Sequence, residues 1–346
     1  MNKKAIIITG IFVFLFLAVT LSMAMYFTHK IIFGNNISFD ATPYLYIKTG
    51  STYDDVLKLL EKENIVKSVK TFQTVAHFKK YPQKVKSGRY SIRQGMSNNE
   101  LINMLRSGQQ AAVHFTFNNI RTKEQFVQRV AQQLETDYDS LLSLLNNDAE
   151  LEKYHVNKEN VLTVFIPNTY QLWWNTSVDG FVARMYREYQ KFWNKERLKK
   201  AAEINLSPTE VIILASIVEE ENHRSDEQAK IAGVYVNRLK KDMYLQADPT
   251  IKYALQDFGR KRLLYVDLEV NSPYNTYKYT GLPPGPVRIP SPNCIDNVLN
   301  YEKHHYLFMC AKEDFSGYHN FGRTAAEHGV NVDKYHKALN RNKIKK

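Results

Sequence analysis

Cysteine is nearly absent from this chain: Cys294 and Cys310 are the only two in 346 residues. A disulfide framework is excluded by number alone. The spacing of the two argues neither for a pair in an oxidising compartment nor against two buried free thiols. No Cys/His arrangement has zinc spacing, and none of the 10 histidines stands in an H-E-x-x-H pattern, so neither metal nor cofactor is expected. Ser-His-Asp and Cys-His orders suited to nucleophilic catalysis are missing, as are internal repeats. The glycine-rich segment Gly281-Leu282-Pro283-Pro284-Gly285-Pro286 is no phosphate loop, because its three prolines remove N–H donors that a phosphate cradle needs. It is expected to be a rigid loop shaping a cleft wall.

Acidic residues are outnumbered. Lys and Arg total 47 against 35 Asp and Glu, a net charge of +12, which suits a polyanionic neighbour: nucleic acid, an anionic membrane surface or an anionic cell-wall polymer. The basic residues are scattered, apart from the tail Arg341 to Lys346, and form no recognisable nucleic-acid motif. Nucleic acid is therefore not an expected partner. A hydrophobic share of 44%, with 22 Tyr and 18 Phe, belongs to a globular chain long enough for one large domain or two ordinary ones.

What is present begins at the N-terminus. Lys3 and Lys4 precede an uncharged apolar run from Ala5 to Thr28, long enough to cross a bilayer. The flanking lysines predict residues 1–4 in the cytoplasm, a transmembrane helix over 5–28, a linker over 29–43 and the rest outside. Ser22-Met23-Ala24 is a passable signal-cleavage site, but the apolar run continues past it and favours an uncleaved anchor.

From Tyr44 the pattern is strand, turn, helix, helix, strand, ending with Gly88-Arg89-Tyr90-Ser91-Ile92. A capping box of Ser97 with Glu100 then starts a helix that Gly108 closes. This predicts a small α+β module over 44–110, either a packing domain or a glycan binder. The remainder, 111–346, reads as a larger mixed α/β domain. Ala112 to Phe117 is a predicted strand, and Thr122 with Gln125 caps the helix after it. The aromatic stretch from Leu162 to Trp174 reads as core packing before it reads as a sugar-binding surface. Tyr306 to Ala311 is a predicted core strand.

The stretch from Ser207 to Thr250 carries the chemistry. Ser207, Pro208 and Glu210 start a helix, an apolar run from Val211 to Val218 buries it, and Glu219, Glu220 and Glu221 end it. Adjacent like charges at the negative end of a helix dipole oppose ionisation, and a carboxylic acid of raised pKa is the usual general acid for glycosidic cleavage. Pattern alone does not rank the acids, since Glu219 and Glu221 each extend an apolar stripe. A solvated acidic helix end is the bland alternative. Ser225 with Gln228 suggests a second capping box, and His223 beside the acids reads as a surface histidine in the turn between helices before it reads as a base.

The sequence resembles the YceG-like endolytic murein transglycosylases. The matching residues are Ala215-Ser216-Ile217-Val218-Glu219-Glu220-Glu221, Val236-Asn237-Arg238-Leu239, Leu245-Gln246-Ala247-Asp248-Pro249-Thr250, Tyr274-Asn275-Thr276-Tyr277 and Gly281-Leu282-Pro283-Pro284-Gly285. The stretches Phe165 to Tyr170 and Ser87 to Tyr90 are similar too. The resemblance covers nearly the whole chain and implies a LysM-like subdomain at 44–110 and a catalytic domain over 111–346. It implies a single-pass protein of the bacterial cell (inner) membrane whose catalytic domain is extracytoplasmic. Glu221 is implied as the catalytic acid, with Glu219 supporting it in the cleft. Asn237, Gln246, Asp248, Asn275 and Tyr277 are expected to bind the sugar or hold the acid. The implied reaction cleaves the bond between N-acetylmuramic acid and N-acetylglucosamine without water and leaves 1,6-anhydro ends, terminating or trimming nascent strands. Peptidoglycan strands, the membrane and peptidoglycan synthases are the expected partners. A muramidase-type hydrolase and a non-enzymatic wall-binding protein are the alternatives. Two departures stand out: Asn168 where the family often has Asp, and Asn118-Asn119-Ile120 in place of a Pro-Glu-Gly turn, the latter expected to touch the domain junction rather than the acid.

Overall fold

The computed structural model describes residues 3–38, 43–260 and 262–341. The basic tail beyond Arg341, Lys261 of the basic turn, residues 1–2 and the 39–42 part of the expected linker lie outside them. The chain divides into two compact units. The first holds the chain up to His114 together with 133–135 and 171–176; the second holds 115–132, 136–170 and the chain from Ser177 on.

In the first unit, α1 (Lys3–Phe33) is a 31-residue helix with no buried residue, long and apolar enough to cross a membrane. It runs past Thr28, and the segment after it is not a free linker. Asn35 bridges to Ser97 and Ile37 to Val66, and Ile37 is fully buried. Then come β1 (Tyr44–Ile47), α2 (Tyr53–Lys62), α3 (Val69–Phe78), β2 (Gly88–Ser91) and α4 (Asn98–Ser107). β1 and β2 pair antiparallel, Tyr44 opposite Ser91 and Ile47 opposite Gly88. The helices close over Leu45, Ile47, Phe72, Tyr81, Tyr90 and Leu101. The Ser97–Glu100 capping box forms, and Gly108 ends α4 at φ 75°, a left-handed conformation that suits glycine.

The short returns 133–135 and 171–176 join this unit for specific reasons. The Glu135 carboxylate accepts from the backbone N–H and the hydroxyl of Thr49, both at 2.7 Å. Trp174 packs edge-on against Tyr46 at 5.1 Å, and Asn175 donates to Ser87 Oγ.

The second unit follows with β3 (Val113–Thr116), α5 (Lys123–Ala131), α6 (Tyr138–Leu145), α7 (Asp148–Leu151), β4 (Thr169–Leu172), α8 (Val178–Phe192) and α9 (Lys195–Glu203). β3 pairs with β4, and the division between units falls within both strands. Next are α10 (Pro208–Glu221), α11 (Ser225–Leu239), α12 (Asp248–Ala254), α13 (Pro292–Leu299), β5 (Phe308–Ala311), β6 (His319–Gly322) and α14 (Ala325–Arg341). Among the described residues, three two-stranded ribbons stand among many helices, in agreement with the predicted α+β class.

The core of this unit is built around α10. Val211 to Glu219 are all buried, so no face of the helix is free. Its start is the predicted capping box of Ser207 and Glu210 with Pro208 at the first turn. Ser216 sits fully buried within it, donating to Ile213 O at 2.6 Å and accepting from the Val287 N–H at 3.0 Å. Helices α11 and α13 pack against it. A Cβ at Gly233 would lie 2.5 Å from Glu302 O, so only glycine lets α11 approach that segment.

Several expectations are corrected. α11 is not started by a Ser225–Gln228 box: Arg224 is its N-cap with no side-chain cap, and Gln228 instead donates to Asn222 O. Among the described residues β5 is half-buried and pairs with β6 alone, rather than forming a core strand. The aromatic stretch does pack inward at Phe165 and Tyr170, while Trp173 is exposed. Both cysteines are free, Cys294 buried and Cys310 half-buried.

Candidate active site

The end of α10 gives its three adjacent carboxylates three different settings. Glu219 is buried; its Oε2 accepts from the Ser291 N–H at 3.0 Å and lies 3.2 Å from Arg288 Nε. Glu220 meets two guanidinium groups, Arg288 Nη1 at 2.9 Å and Arg121 Nη2 at 2.9 Å. Glu221 forms no ion pair among the described residues. Its Oε1 accepts one hydrogen bond, from the neutral Tyr235 hydroxyl at 2.7 Å.

Burial therefore dominates at Glu221 and pushes its carboxyl up to about 7. The Tyr235 bond opposes that rise, nearby Asp248 adds to it, and Lys252 and Arg238 pull weakly downward. At neutral pH such a group is protonated for a large part of the time, as a general acid must be.

Glu221 faces a cleft of about 430 Å³. Its walls include Tyr235, Arg238, Gln246, Asp248 and Tyr277, with the β5–β6 hairpin contributing Phe308 to Ala311 and His319. Asp248 opens α12 and accepts from the Tyr277 hydroxyl at 2.5 Å. Burial and that carboxylate hold the Tyr277 phenol well above its ordinary range. Arg238 is buried and donates to backbone carbonyls: Leu245 O at 2.7 Å, Tyr244 O at 3.1 Å and Leu307 O at 2.7 Å. It ties the Gln246 turn to the start of the hairpin. Gln246 itself adopts φ 49° and is held by its N–H on Thr276 O at 3.0 Å.

Of the expected site residues, Glu221, Gln246, Asp248 and Tyr277 meet in this cleft. Glu219, Asn237 and Asn275 do not line it, and each has a framework task instead. Glu219 is occupied by Arg288 and Ser291. Asn237 Nδ2 donates to His304 O at 2.8 Å and Tyr306 O at 3.0 Å. Asn275 is fully buried, donating to Leu268 O and Val270 O at 2.8 Å each and accepting from the Tyr277 N–H at 3.0 Å. It positions Tyr277 rather than a ligand.

The Gly281–Pro286 loop is likewise not part of the cleft wall. A Cβ at Gly285 would lie 2.0 Å from Glu159 O, so the loop is wedged against that segment. His223 is exposed, as expected, and Asn168 is exposed away from the cleft. Asn119, left-handed at φ 51°, accepts from Arg288 Nη2 at 3.2 Å, and so braces the arginine that pairs with Glu219 and Glu220 rather than touching Glu221.

Sequence reasoning missed Tyr235 and the hairpin. Tyr235 is hidden in the apolar pattern of α11, where a tyrosine reads as core. Among the hairpin residues, His319 is held by Glu227, whose carboxylate is buried. Arg238 stands in one of the motifs that carry the resemblance, but the motif gives it no role.

A carboxyl raised to about 7 thus faces a polar cleft that it shares with Asp248, while its two neighbours along the helix are paired with arginine. A model of the YceG-like family matches residues 45–334, and the chain belongs to that family. It is 31% identical over 317 residues to the endolytic murein transglycosylase of Bacillus subtilis (strain 168), covering 85% of each. The endolytic murein transglycosylase of Streptococcus pneumoniae serotype 2 is 27% identical over 349 residues, which is 90% of this chain and 61% of that relative. Among solved structures, a YceG-like protein from Listeria monocytogenes superposes with a TM-score of 0.54 at 25% identity, over 83% of this chain and 98% of that one.

Proposed function

We propose that this protein is a membrane-anchored endolytic murein transglycosylase that cleaves the MurNAc–GlcNAc bond within peptidoglycan strands. The observation that carries the reading is the sorting of the three glutamates. Glu221 alone lacks an arginine, and burial raises it to about 7. The relatives named endolytic murein transglycosylases support the substrate.

In this mechanism protonated Glu221 gives its proton to the leaving glycosidic oxygen as the bond to muramic C1 breaks. The resulting carboxylate takes the proton of the muramic C6 hydroxyl as that oxygen bonds to C1. A 1,6-anhydro ring forms, and Glu221 ends protonated, ready for the next cut. One carboxyl in two roles needs no nucleophilic partner, unlike the two-carboxylate hydrolases. Gln246, Asp248 and Tyr277 hold the sugar.

The β1–α2–α3–β2 order with its two strands paired supports a LysM-like, glycan-binding reading of the first unit. The apolar α1 with Lys3 and Lys4 at its start supports a single span, with both units on the outer face of the cell membrane. Peptidoglycan synthases would be the neighbours of an enzyme acting on nascent strands there.

The test is mass analysis of fragments released from isolated glycan strands by wild type and Glu221→Gln. Wild type should leave 1,6-anhydro-muramic ends and the variant should lose at least about 100-fold in rate. Reducing muramic ends would replace the lyase with a muramidase. Undiminished cutting by the variant would remove Glu221 from the mechanism.

A further inference from the structure

The cleft holds a second prepared group that the glycan-cutting steps of Glu221 do not use. His319 begins β6 and lines the same cleft as Glu221. Its Nδ1 lies 2.8 Å from Glu227 Oε2, and its backbone N–H donates to Glu227 Oε1 at 2.9 Å. Glu227, on α11, is only 6% exposed. Its Oε2 also accepts from Asn222 Nδ2 at 2.5 Å, and that same amide donates to Gly317 O at 3.1 Å. Every donor around this buried carboxylate is thus committed, and the imidazole ring is fixed by both its backbone and its side chain.

A carboxylate against Nδ1 requires the proton to sit on Nδ1. In the neutral ring Nε2 then carries a bare lone pair, an acceptor rather than a donor. No described residue hydrogen-bonds His319 Nε2. The hairpin tip is clamped separately, Tyr318 donating to Asp226 Oδ2 at 2.7 Å with Arg224 over its ring at 4.6 Å. Holding the hairpin therefore does not require a histidine at 319, still less one with a dedicated buried carboxylate. The arrangement is that of an oriented acceptor presented to a ligand.

We propose that His319, oriented by Glu227 and Asn222, is a substrate-contacting residue whose Nε2 accepts a hydrogen bond from a hydroxyl or acetamido N–H of the bound amino sugar. It adds a contact on the hairpin wall to those of Gln246, Asp248 and Tyr277. The inference rests on the proposed glycan-cutting function.

Two substitutions separate this role from a structural one. In His319→Asn the amide nitrogen can replace Nδ1 against Glu227, but nothing stands where Nε2 was. In His319→Gln the longer amide can put its oxygen near the Nε2 position. With full-length protein in detergent micelles and isolated glycan strands, His319→Asn should lower kcat/KM about tenfold, the size of one hydrogen bond. Its melting temperature should match wild type, and His319→Gln should recover part of the rate. Tyr318→Phe, which loosens the clamp without touching the ring, should cut like wild type. Wild-type kcat/KM in His319→Asn would overturn the proposal. So would loss of rate in both His319 variants together with a lowered melting temperature, which would make the histidine a hairpin brace. Product analysis keeps the two readings apart: reducing ends from wild type would overturn the lyase mechanism yet leave the His319 comparison standing, while anhydro ends with an indifferent His319→Asn would do the reverse.

Discussion

At Glu221 burial sets the scale of the acidity, and the immediate neighbours adjust it in opposite directions. The Tyr235 hydroxyl favours the ionised form, and the Asp248 charge disfavours it. Tyr235→Phe should therefore raise the Glu221 pKa and carry the alkaline limb of the pH–rate profile upward. Asp248→Asn should carry it downward. Profiles of kcat/KM for the two variants check this, and limbs moving in the same direction would contradict the assignment. The same setting has a stability consequence. A native carboxyl near 7, against 4.5 ordinarily, contributes stability that is fully present below about 4.5 and lost as pH rises through about 7. Above that, burying the charge costs about 1–3 kcal/mol. Gln at this position stays neutral, so Glu221→Gln should melt higher than wild type at pH 8 and show little advantage at pH 5. An equal gap at both pH values would mean that the native carboxyl titrates normally.

At the scale of the element, α10 is a buried rod whose end has to accommodate three acids, and Arg288 makes that possible. It reaches Glu219 and Glu220 together while Asn119 holds its far side. Removing one partner of a buried ionic cluster leaves uncompensated charge, at about 3–5 kcal/mol. Arg288→Ala should lose about that much in denaturant unfolding, and Arg288→Lys should recover little, because a point charge cannot replace the fork. A midpoint unchanged from wild type would show the pairing to be ornamental. Local signals of this element were legible in the sequence: the Ser207–Glu210 box, Pro208 and the apolar run gave its start and its burial. Its partners were not. Arg288 and Arg121 are far from Glu220 in sequence, in segments with no periodic pattern, and only the fold brings them together. The Ser225–Gln228 pattern misled for a related reason. Asn222 turns its side chain onto Glu227 and its carbonyl to Gln228, so a tertiary network occupies the residues that a local cap would have used. Asn237 and Asn275 look like ligand-binding residues in a sequence because buried carbonyls and sugars ask for the same donor.

For the whole chain, the question is where the anchor ends and the folded part begins. A hydropathy reading stops the span at Thr28 and treats the segment from His29 on as a tether, but the first unit incorporates that stretch. Ile31 and Ile32 pack against its core, and Asn98 Nδ2 donates to Ile31 O at 3.0 Å. Asn36 donates to Ser68 O at 3.0 Å and to Asn98 Oδ1 at 2.7 Å, while Ile37 and Ser38 add backbone bonds to Met96 and Ile65. The stretch that follows the apolar part of α1 is thus hydrogen-bonded and packed into the first unit rather than free of it. Two truncations measure this. A chain beginning at His29 keeps these contacts; one beginning at Pro43, close to the boundary that the strand pattern suggests, loses them. Loss of Ile37 alone, a fully buried side chain, is worth about 2–5 kcal/mol. The shorter chain should therefore melt lower, and amides of β1, β2 and α4 should exchange faster by a corresponding factor, while those of α10 and α11 keep their protection. Equal melting and equal exchange in the two chains would make residues 29–38 a tether after all, free to let the first unit swing on its anchor.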